Sequence, residues 1–282
     1  MRMRKISASE IGRAVEKLCV KANTVLRPDV LSALKKMHKR ERNPLAKRML
    51  KVLLDNSAIA GKEELALCQD TGMVAVFIEI GQDVRVTGGD MSEAVNKGVA
   101  RAYRKSCFRS SVVDDPVRRE NTGDNTPAVI HAEVVKGSRV AISVLPKGFG
   151  AENKSRIAML NPTCRPEEIV DFCVDTVRIA GPDACPPYVL GIGLGGTVEQ
   201  CAYLAKKALL RPIGRASRKK HIAKLEKDIM KKANALEIGI MGLGGKTTVM
   251  GVNVEEAPTH IAGCPVAVNI SCHALRAASA RL

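Results

Sequence analysis

The sequence predicts an α/β fold (mixed α+β), with a helical N-terminal portion followed by a mixed sheet with flanking helices. Three observations lead there. In the first third, apolar residues recur at helical spacing, as in Ile11, Val15, Leu18 and Ala22. Further on come short β-rich runs such as MVAVFIEIG (73–81) and PVAVNIS (265–271). Between them lie helical stretches such as PEEIVDFCVDTVRIAG (166–181), with Pro at its start and Gly at its end. The expectation is one domain over 1–282 with a helical subregion over about 1–60.

Taken in order, Ser7-Ala8-Ser9-Glu10 is a capping box that opens the first helix. Arg27-Pro28-Asp29 breaks it, and Val30, Leu31, Leu34 and Met37 mark a second. A third follows Asn43-Pro44, with Leu45, Met49, Val52 and Leu53 apolar. MVAVFIEIG and DVRVTG (83–88) suggest a hairpin turning at Gly81-Gln82, and helix signals return over Ser92 to Lys105. The polar stretch 110–128 is too long for a mere connection, and loops of that length tend to be functional or disordered. A second hairpin is expected from VIHAEVV (129–135) to RVAISVL (139–145). YVLGIGLGGT (188–197) reads as a strand entering a glycine turn, followed by helices over Val198–Leu210 and Arg218–Leu236. LEIGIMGLGGKT (236–247) repeats the strand-then-glycines pattern, and TTVMGVNV and PVAVNIS end the series as strands.

Composition narrows the function. The chain has 282 residues, 45% of them hydrophobic, enough for a sizeable core and against disorder. With no Trp, three Tyr and four Phe, the core must be aliphatic and base-stacking surfaces are scarce. The net charge of +16 is spread along the chain, with clusters at 35–48 and 215–232 that fit solvated helix faces. Such a field suits anionic metabolites or an acidic partner, and nucleic acid has the least support. Met1 to Lys5 leads into a charged amphipathic segment rather than a secretory signal, and no run approaches a membrane span. A cytoplasmic chain keeps its thiols reduced, so the nine cysteines are packing residues, ligands or nucleophiles. No CxxC occurs, which rules out a zinc ribbon.

Two glycine turns invite a nucleotide reading. GLGGKT (242–247) would need glycine at 240 to form a phosphate loop, and that residue is Ile240. Gly191, Gly193 and Gly196 fit the dinucleotide spacing. The helix after them, however, runs into Arg211-Pro212-Ile213-Gly214 rather than a second strand ending in an acidic residue.

CQDTG (68–72) sets a thiol, an amide, a carboxylate and a hydroxyl side by side, where an apolar stretch meets a strand. As a turn it is unremarkable, but a loop at the end of a buried element is where scaffolds hold reactive groups. It heads a series: CFRSS (107–111), NTGDNTPAVIH (121–131), KGFGAENKS (147–155), NPTCRPEEIVDF (161–172), GPDACPPYVLGIGLGGT (181–197) and PTHIAGCPVAVNISCHALR (258–276). In content and order the series resembles the class I (iron–sulfur) fumarases and L-tartrate dehydratases. The likeness runs over nearly the whole chain and covers the N-terminal, or alpha, part of that family.

The resemblance implies an iron–sulfur hydro-lyase alpha-type fold and a 4Fe–4S cluster held by Cys68, Cys185 and Cys272. Cys264, also strand-like and near His260, is the alternative third ligand. Three ligands rather than four leave one iron open as a Lewis acid, whereas an electron-transfer cluster usually has every iron capped. By the same likeness Gln69 donates to substrate, Asp70 supports the base, Arg109 binds a substrate carboxylate and His260 shuttles a proton. Gly150 lets backbone approach the substrate, with Gly148 the alternative. Cys19, Cys173 and Cys201 fit as packing residues, and Cys107 and Cys164 have no assigned role. The implied activity is hydration of the dicarboxylate fumarate to L-malate, with L-tartrate to oxaloacetate as the rival. The family's remaining cations and hydroxyl base belong to a C-terminal part. In the two-subunit branch that part is a separate beta subunit, so a hetero-oligomer is expected.

Overall fold

The computed structural model describes residues 3–282. In chain order the elements are β1 (Arg4–Ser7), α1 (Ala8–Thr24), α2 (Pro28–Arg40), α3 (Pro44–Glu63), β2 (Met73–Gly81), β3 (Val84–Thr87), α4 (Met91–Lys105), β4 (Val129–Val135) and β5 (Val140–Lys147). They continue with α5 (Phe149–Glu152), β6 (Arg156–Leu160), α6 (Pro166–Ala180), β7 (Tyr188–Leu194), α7 (Val198–Ala208), α8 (Lys220–Asn234), β8 (Val249–Glu256), β9 (Cys264–Ser271) and β10 (Ala278–Arg281). The fold is mixed α/β, as the sequence predicts. It divides into two compact units. One contains the chain up to Arg27, Ser57–Phe149 and Arg276–Leu282; the other contains Pro28–Asn56 and Gly150–Leu275.

The first unit is built on a sheet of order β10-β5-β2-β4, with β2 parallel to β4 and antiparallel to β5. Both expected hairpins are therefore corrected. β2 lies between β4 and β5, and β3 leaves to pair in parallel with β1. The physical reason is Gly81, where a Cβ would sit 2.1 Å from the Gly137 carbonyl. Only a bare α-carbon lets the end of β2 slot under the turn that joins its two neighbours. That turn is then pinned by Gly81 N to Arg139 O at 2.7 Å and Gln82 N to Val135 O at 2.8 Å.

Ser7 caps α1 as the capping box predicts, with Glu10 N donating to its Oγ at 3.1 Å. Ile11, Val15 and Leu18 form the buried face of α1, and they join Val76, Ile78, Val99 and Ile142 in one core. Full burial of each such side chain contributes about 1.5–3 kcal/mol. Helices α1 and α4 pack closely where Gly98 meets the Gly12 carbonyl, since a Cβ there would lie 2.4 Å from that oxygen.

The second unit is built on a sheet of order β6-β9-β7-β8, in which β7 pairs antiparallel with β9 and parallel with β8. Helices α6 and α8 bury Val170, Val177, Ile222 and Ile229 against Leu190, Val252 and Val268. Gly191 and Gly193 explain the dinucleotide-like spacing. A Cβ on either would meet the Ala205 or Cys201 carbonyl of α7, at 2.1 and 1.9 Å. These glycines serve close helix–strand packing.

The segment 236–247 is not a strand. Gly239, Gly242, Gly244 and Gly245 all take left-handed φ values, which an extended strand excludes, and the chain makes a 3-10 turn over Ile240–Gly242. This glycine loop does bind an anion, namely the chain's own Glu41. The buried carboxylate accepts from Arg42 N and Asn43 N at 2.8 and 2.9 Å through Oε1, and from Lys246 N at 3.1 Å through Oε2. Burial works to raise the Glu41 pKa, but the three amide bonds and the Lys246 charge outweigh it, and the net shift is downward. A carboxylate held low in the folded state adds stability above the unfolded glutamate value of 4.5 and loses it as the pH falls through the folded value. Glu41→Ala is expected to lower unfolding free energy by roughly 2–4 kcal/mol at neutral pH. In denaturant titrations the gap to the parent chain should shrink below the carboxylate range; a gap independent of pH would contradict this role.

Candidate functional site

In the first unit, the segment that carries Cys68, Gln69 and Asp70 is an irregular loop between α3 and β2, and it is held from several sides. The buried Tyr103 hydroxyl of α4 donates to Thr71 O at 2.7 Å and Gly72 O at 3.1 Å. Asn125, fully buried in the long polar loop, donates to Gly72 O at 3.0 Å and accepts from Ser111 N at 2.8 Å. Thr71 Oγ1 donates to Arg109 O at 2.8 Å. Gly72, at φ +76°, passes so close to Lys147 that a Cβ would lie 2.6 Å from its carbonyl carbon. Burial pushes the Tyr103 phenol well above its ordinary range, so it stays a neutral donor.

This clamp presents three polar side chains. Asp70 accepts from Gly72 N at 3.0 Å through Oδ1 and from Phe149 N at 2.8 Å through Oδ2, which fixes the plane of its carboxylate. Gln69 is exposed, and its Oε1 accepts from Arg109 Nη1 at 3.2 Å. Arg109 is exposed as well. Cys68 is half-buried beside them in sequence.

Gly148 borders this group more closely than Gly150 does. A Cβ on Gly148 would stand 3.0 Å from Asp70 Oδ2 and 3.3 Å from Arg276 Nη2, while Gly150 has open space. Arg276 is the residue that sequence reasoning missed. It is 3% exposed, Nη1 donates to Asn23 Oδ1 at 3.1 Å, and Nε has no hydrogen-bond partner among the described residues. A guanidinium buried next to a carboxylate-bearing loop is a fixed positive charge of the kind that anion chemistry uses.

In the second unit, Cys185 and Cys272 come to one end of the sheet. Val189 of β7 pairs with Ser271 of β9, so the residues just before β7 and just after β9 share an edge. His273 N donates to Cys185 O at 3.2 Å, and His273 Nδ1 lies 3.2 Å from the same oxygen. Both thiols are half-buried. Burial raises the Tyr188 phenol, and the nearby Cys185, Asp183 and Cys272 push it further the same way. Cys185 also holds φ +56°, a left-handed conformation that costs a non-glycine residue about 1–2 kcal/mol. The bonds to its carbonyl and from its N–H to Pro182 O at 3.1 Å hold it there. Strain of this kind collects at functional sites.

Cys264 begins β9, so the eight residues of that strand, at about 3.3 Å each, separate it from Cys272. Its sulfur lies 3.6 Å from that of Cys164. His260 is in the exposed turn before Cys264, where Nδ1 accepts from Ala262 N at 3.1 Å. The second unit thus brings Cys185 and Cys272 together, and Cys264 and His260 belong to the opposite end of β9.

Among the described residues, no three His, Cys, Asp or Glu side chains form a ready-made single-ion site. A four-iron cube spaces its ligands more widely than one ion does. The donors at the Cys185 and Cys272 edge are thiols, which suit an iron–sulfur cluster and not a hard cation. The two thiols of this edge have the donor chemistry that such a group takes.

The description Fumarate hydratase (Fumerase) belongs to the family whose sequence profile matches residues 12–281. A Methanocaldococcus jannaschii protein named "Putative L(+)-tartrate dehydratase subunit alpha" is 39% identical over 279 residues, covering 97% of this chain and 98% of its own. The L(+)-tartrate dehydratase subunit alpha of Escherichia coli strain UTI89 is 30% identical over 279 residues, covering 98% and 92%. The same-named protein of Escherichia coli K12 is 29% identical over 273 residues, covering 96% and 90%. No helix among the described residues is long and apolar enough to cross a membrane. With a matching profile over nearly its full length, this chain belongs to the fumarate hydratase (Fumerase) family of hydro-lyases.

Proposed function

We propose that this chain is the alpha subunit of an iron–sulfur hydro-lyase that adds water to fumarate to give L-malate. A second reading, dehydration of L(+)-tartrate to oxaloacetate, is favoured by the names of the relatives. In this proposal Cys68, Cys185 and Cys272 hold a 4Fe–4S cluster. When bound, the cluster supplies an open, Lewis-acidic iron for a substrate hydroxyl and carboxylate. The observation that carries the reading is local: a candidate ligand, Cys68, is followed directly by Gln69 and Asp70 in a loop clamped by Tyr103 and Asn125.

The chain's own groups have distinct tasks. Arg109 offers a planar fork to a substrate carboxylate, and its bond to Gln69 aims both side chains. Asp70, fixed by two backbone N–H groups, is oriented to support the base that brings a proton to the carbon next to that carboxylate in hydration and removes it in the reverse direction. Buried Arg276, across Gly148 from Asp70, is a positioning residue whose charge offsets the negative charge collecting there. The close backbone approach is assigned to Gly148, because a side chain on Gly150 would meet open space. The proton role expected of His260 lacks support within its unit, since β9 separates that turn from Cys272 by on the order of 25 Å. The partner is a beta subunit, consistent with relatives named subunit alpha, and it is expected to supply the remaining substrate cations.

Anaerobic co-expression with the partner, followed by assays with fumarate and L(+)-tartrate, tests the reading. The pair should hydrate fumarate and the chain alone should be inactive; turnover of tartrate only would select the second reading. Full activity of the chain by itself, or turnover of neither substrate, would overturn the proposal. In the active pair, Asp70→Asn should lower kcat by about 10²–10⁴-fold. Arg109→Lys should act mainly on KM, raising it on the order of tenfold for about 1.5 kcal/mol of lost charged hydrogen bonding. Equal effects of both changes on kcat would assign the roles wrongly.

A further inference from the structure

We infer that Cys164 and Cys264 form a reversible dithiol–disulfide pair, a covalent modification site oxidised by hydrogen peroxide. The inference is independent of the cluster proposal. The two sulfurs lie 3.6 Å apart, in contact, though 100 residues separate them in sequence. The sheet sets that contact. Leu160 at the end of β6 pairs with Cys264 at the start of β9, so the chain leaving β6 begins directly opposite Cys264. The turn that follows is closed by Cys164 N donating to Asn161 O at 2.9 Å and by Thr163 N donating to Asn161 Oδ1 at 2.9 Å. It folds Cys164 back over the end of β9.

Sulfur–sulfur contact marks this pair out, and access separates it from the three buried thiols. Cys164 and Cys264 are half-buried, whereas Cys19, Cys173 and Cys201 are 0% exposed and out of reach of solvent oxidants. Burial, together with the Cys164 thiol beside it, pushes Cys264 up to about 11, so Cys264 keeps its proton longer. Cys164, carried on the turn after β6, is assigned as the attacking group, and Cys264, anchored in β9, as the resolving one. The Cys164 thiolate attacks one peroxide oxygen, the O–O bond breaks, and a sulfenic acid and water form after proton uptake. The Cys264 sulfur then displaces water from the sulfenic acid, and its proton leaves with that water. In balance, two thiols and one hydrogen peroxide give one disulfide and two waters. The sulfurs must close to a bond of about 2.05 Å, a shift that a surface turn can absorb.

The test uses the full-length chain. It is reduced, exposed to a small excess of hydrogen peroxide, alkylated and digested for mass spectrometry. Wild type should yield a crosslinked peptide pair joining Cys164 to Cys264, two hydrogens lighter than the sum of its reduced parts and absent after dithiothreitol. Its Tm should rise on oxidation, because the bridge closes a long loop in the unfolded chain. Cys164→Ser should show neither the crosslink nor the Tm rise, and its Cys264 should remain alkylatable. The inference is overturned if both residues stay alkylatable while exposed Cys107 is oxidised. It also fails if Cys164 goes on to sulfinic acid with Cys264 still reduced, or if Cys264 is found bridged to another cysteine.

Discussion

The antiparallel register of β7 on β9, Val189 opposite Ser271, is the constraint on which the rest of the second unit's site depends. Cys185 and Cys272 lie 87 residues apart, and no local geometry could join them. Strand pairing does so because the entry to one strand and the exit from its antiparallel neighbour must share an edge. The same register carries Cys264 and His260 to the far end. A slip of one residue would turn every side chain of β9 to the other face and separate His273 from the Cys185 carbonyl.

The first unit solves a similar problem by other means. Its reactive-looking residues are consecutive, so the task is to keep an irregular loop rigid. Backbone carbonyls of Thr71 and Gly72 are taken up by Tyr103 and Asn125, both buried, and Gly72 closes on Lys147 where a side chain could not fit. These bonds satisfy polar backbone that would otherwise be costly to bury. Asp70 is then held by two backbone amides. Glu41 in the second unit shows the same logic without chemistry: a carboxylate is fixed by three N–H groups beside a glycine loop. Backbone amides aimed at a carboxylate therefore serve both architecture and site in this chain.

Helices were the most legible part of the sequence. Ser7 and Pro166 begin helices where capping chemistry says they should, because these signals are local. Strand pairing was less legible. MVAVFIEIG and VIHAEVV are strands as read, but short connections suggested hairpins, and nothing local reveals that β2 slides between its neighbours. Gly81 is the residue that permits it. Strands β1, β6 and β10 are not legible because RKIS, RIAML and ASAR are too short to display alternation. In the site, CQDTG was visible as a polar cluster at a strand entrance. Arg276 was not, although a charge set directly after buried Ala274 and Leu275 is a signal for a buried, paired cation. Its neighbours Asn23, Asp70 and Gly148 come from three distant segments, which only tertiary structure assembles.

In the proposed cluster, sulfur atoms from three separated segments act as one ligand set. Iron and acid-labile sulfide, determined per chain after anaerobic reconstitution of single serine variants, address that most directly. About four irons are expected in the parent and in Cys264→Ser, with a marked loss of iron in Cys68→Ser, Cys185→Ser and Cys272→Ser alike. Full iron content in any of those three, or its loss in Cys264→Ser, would contradict that ligand set.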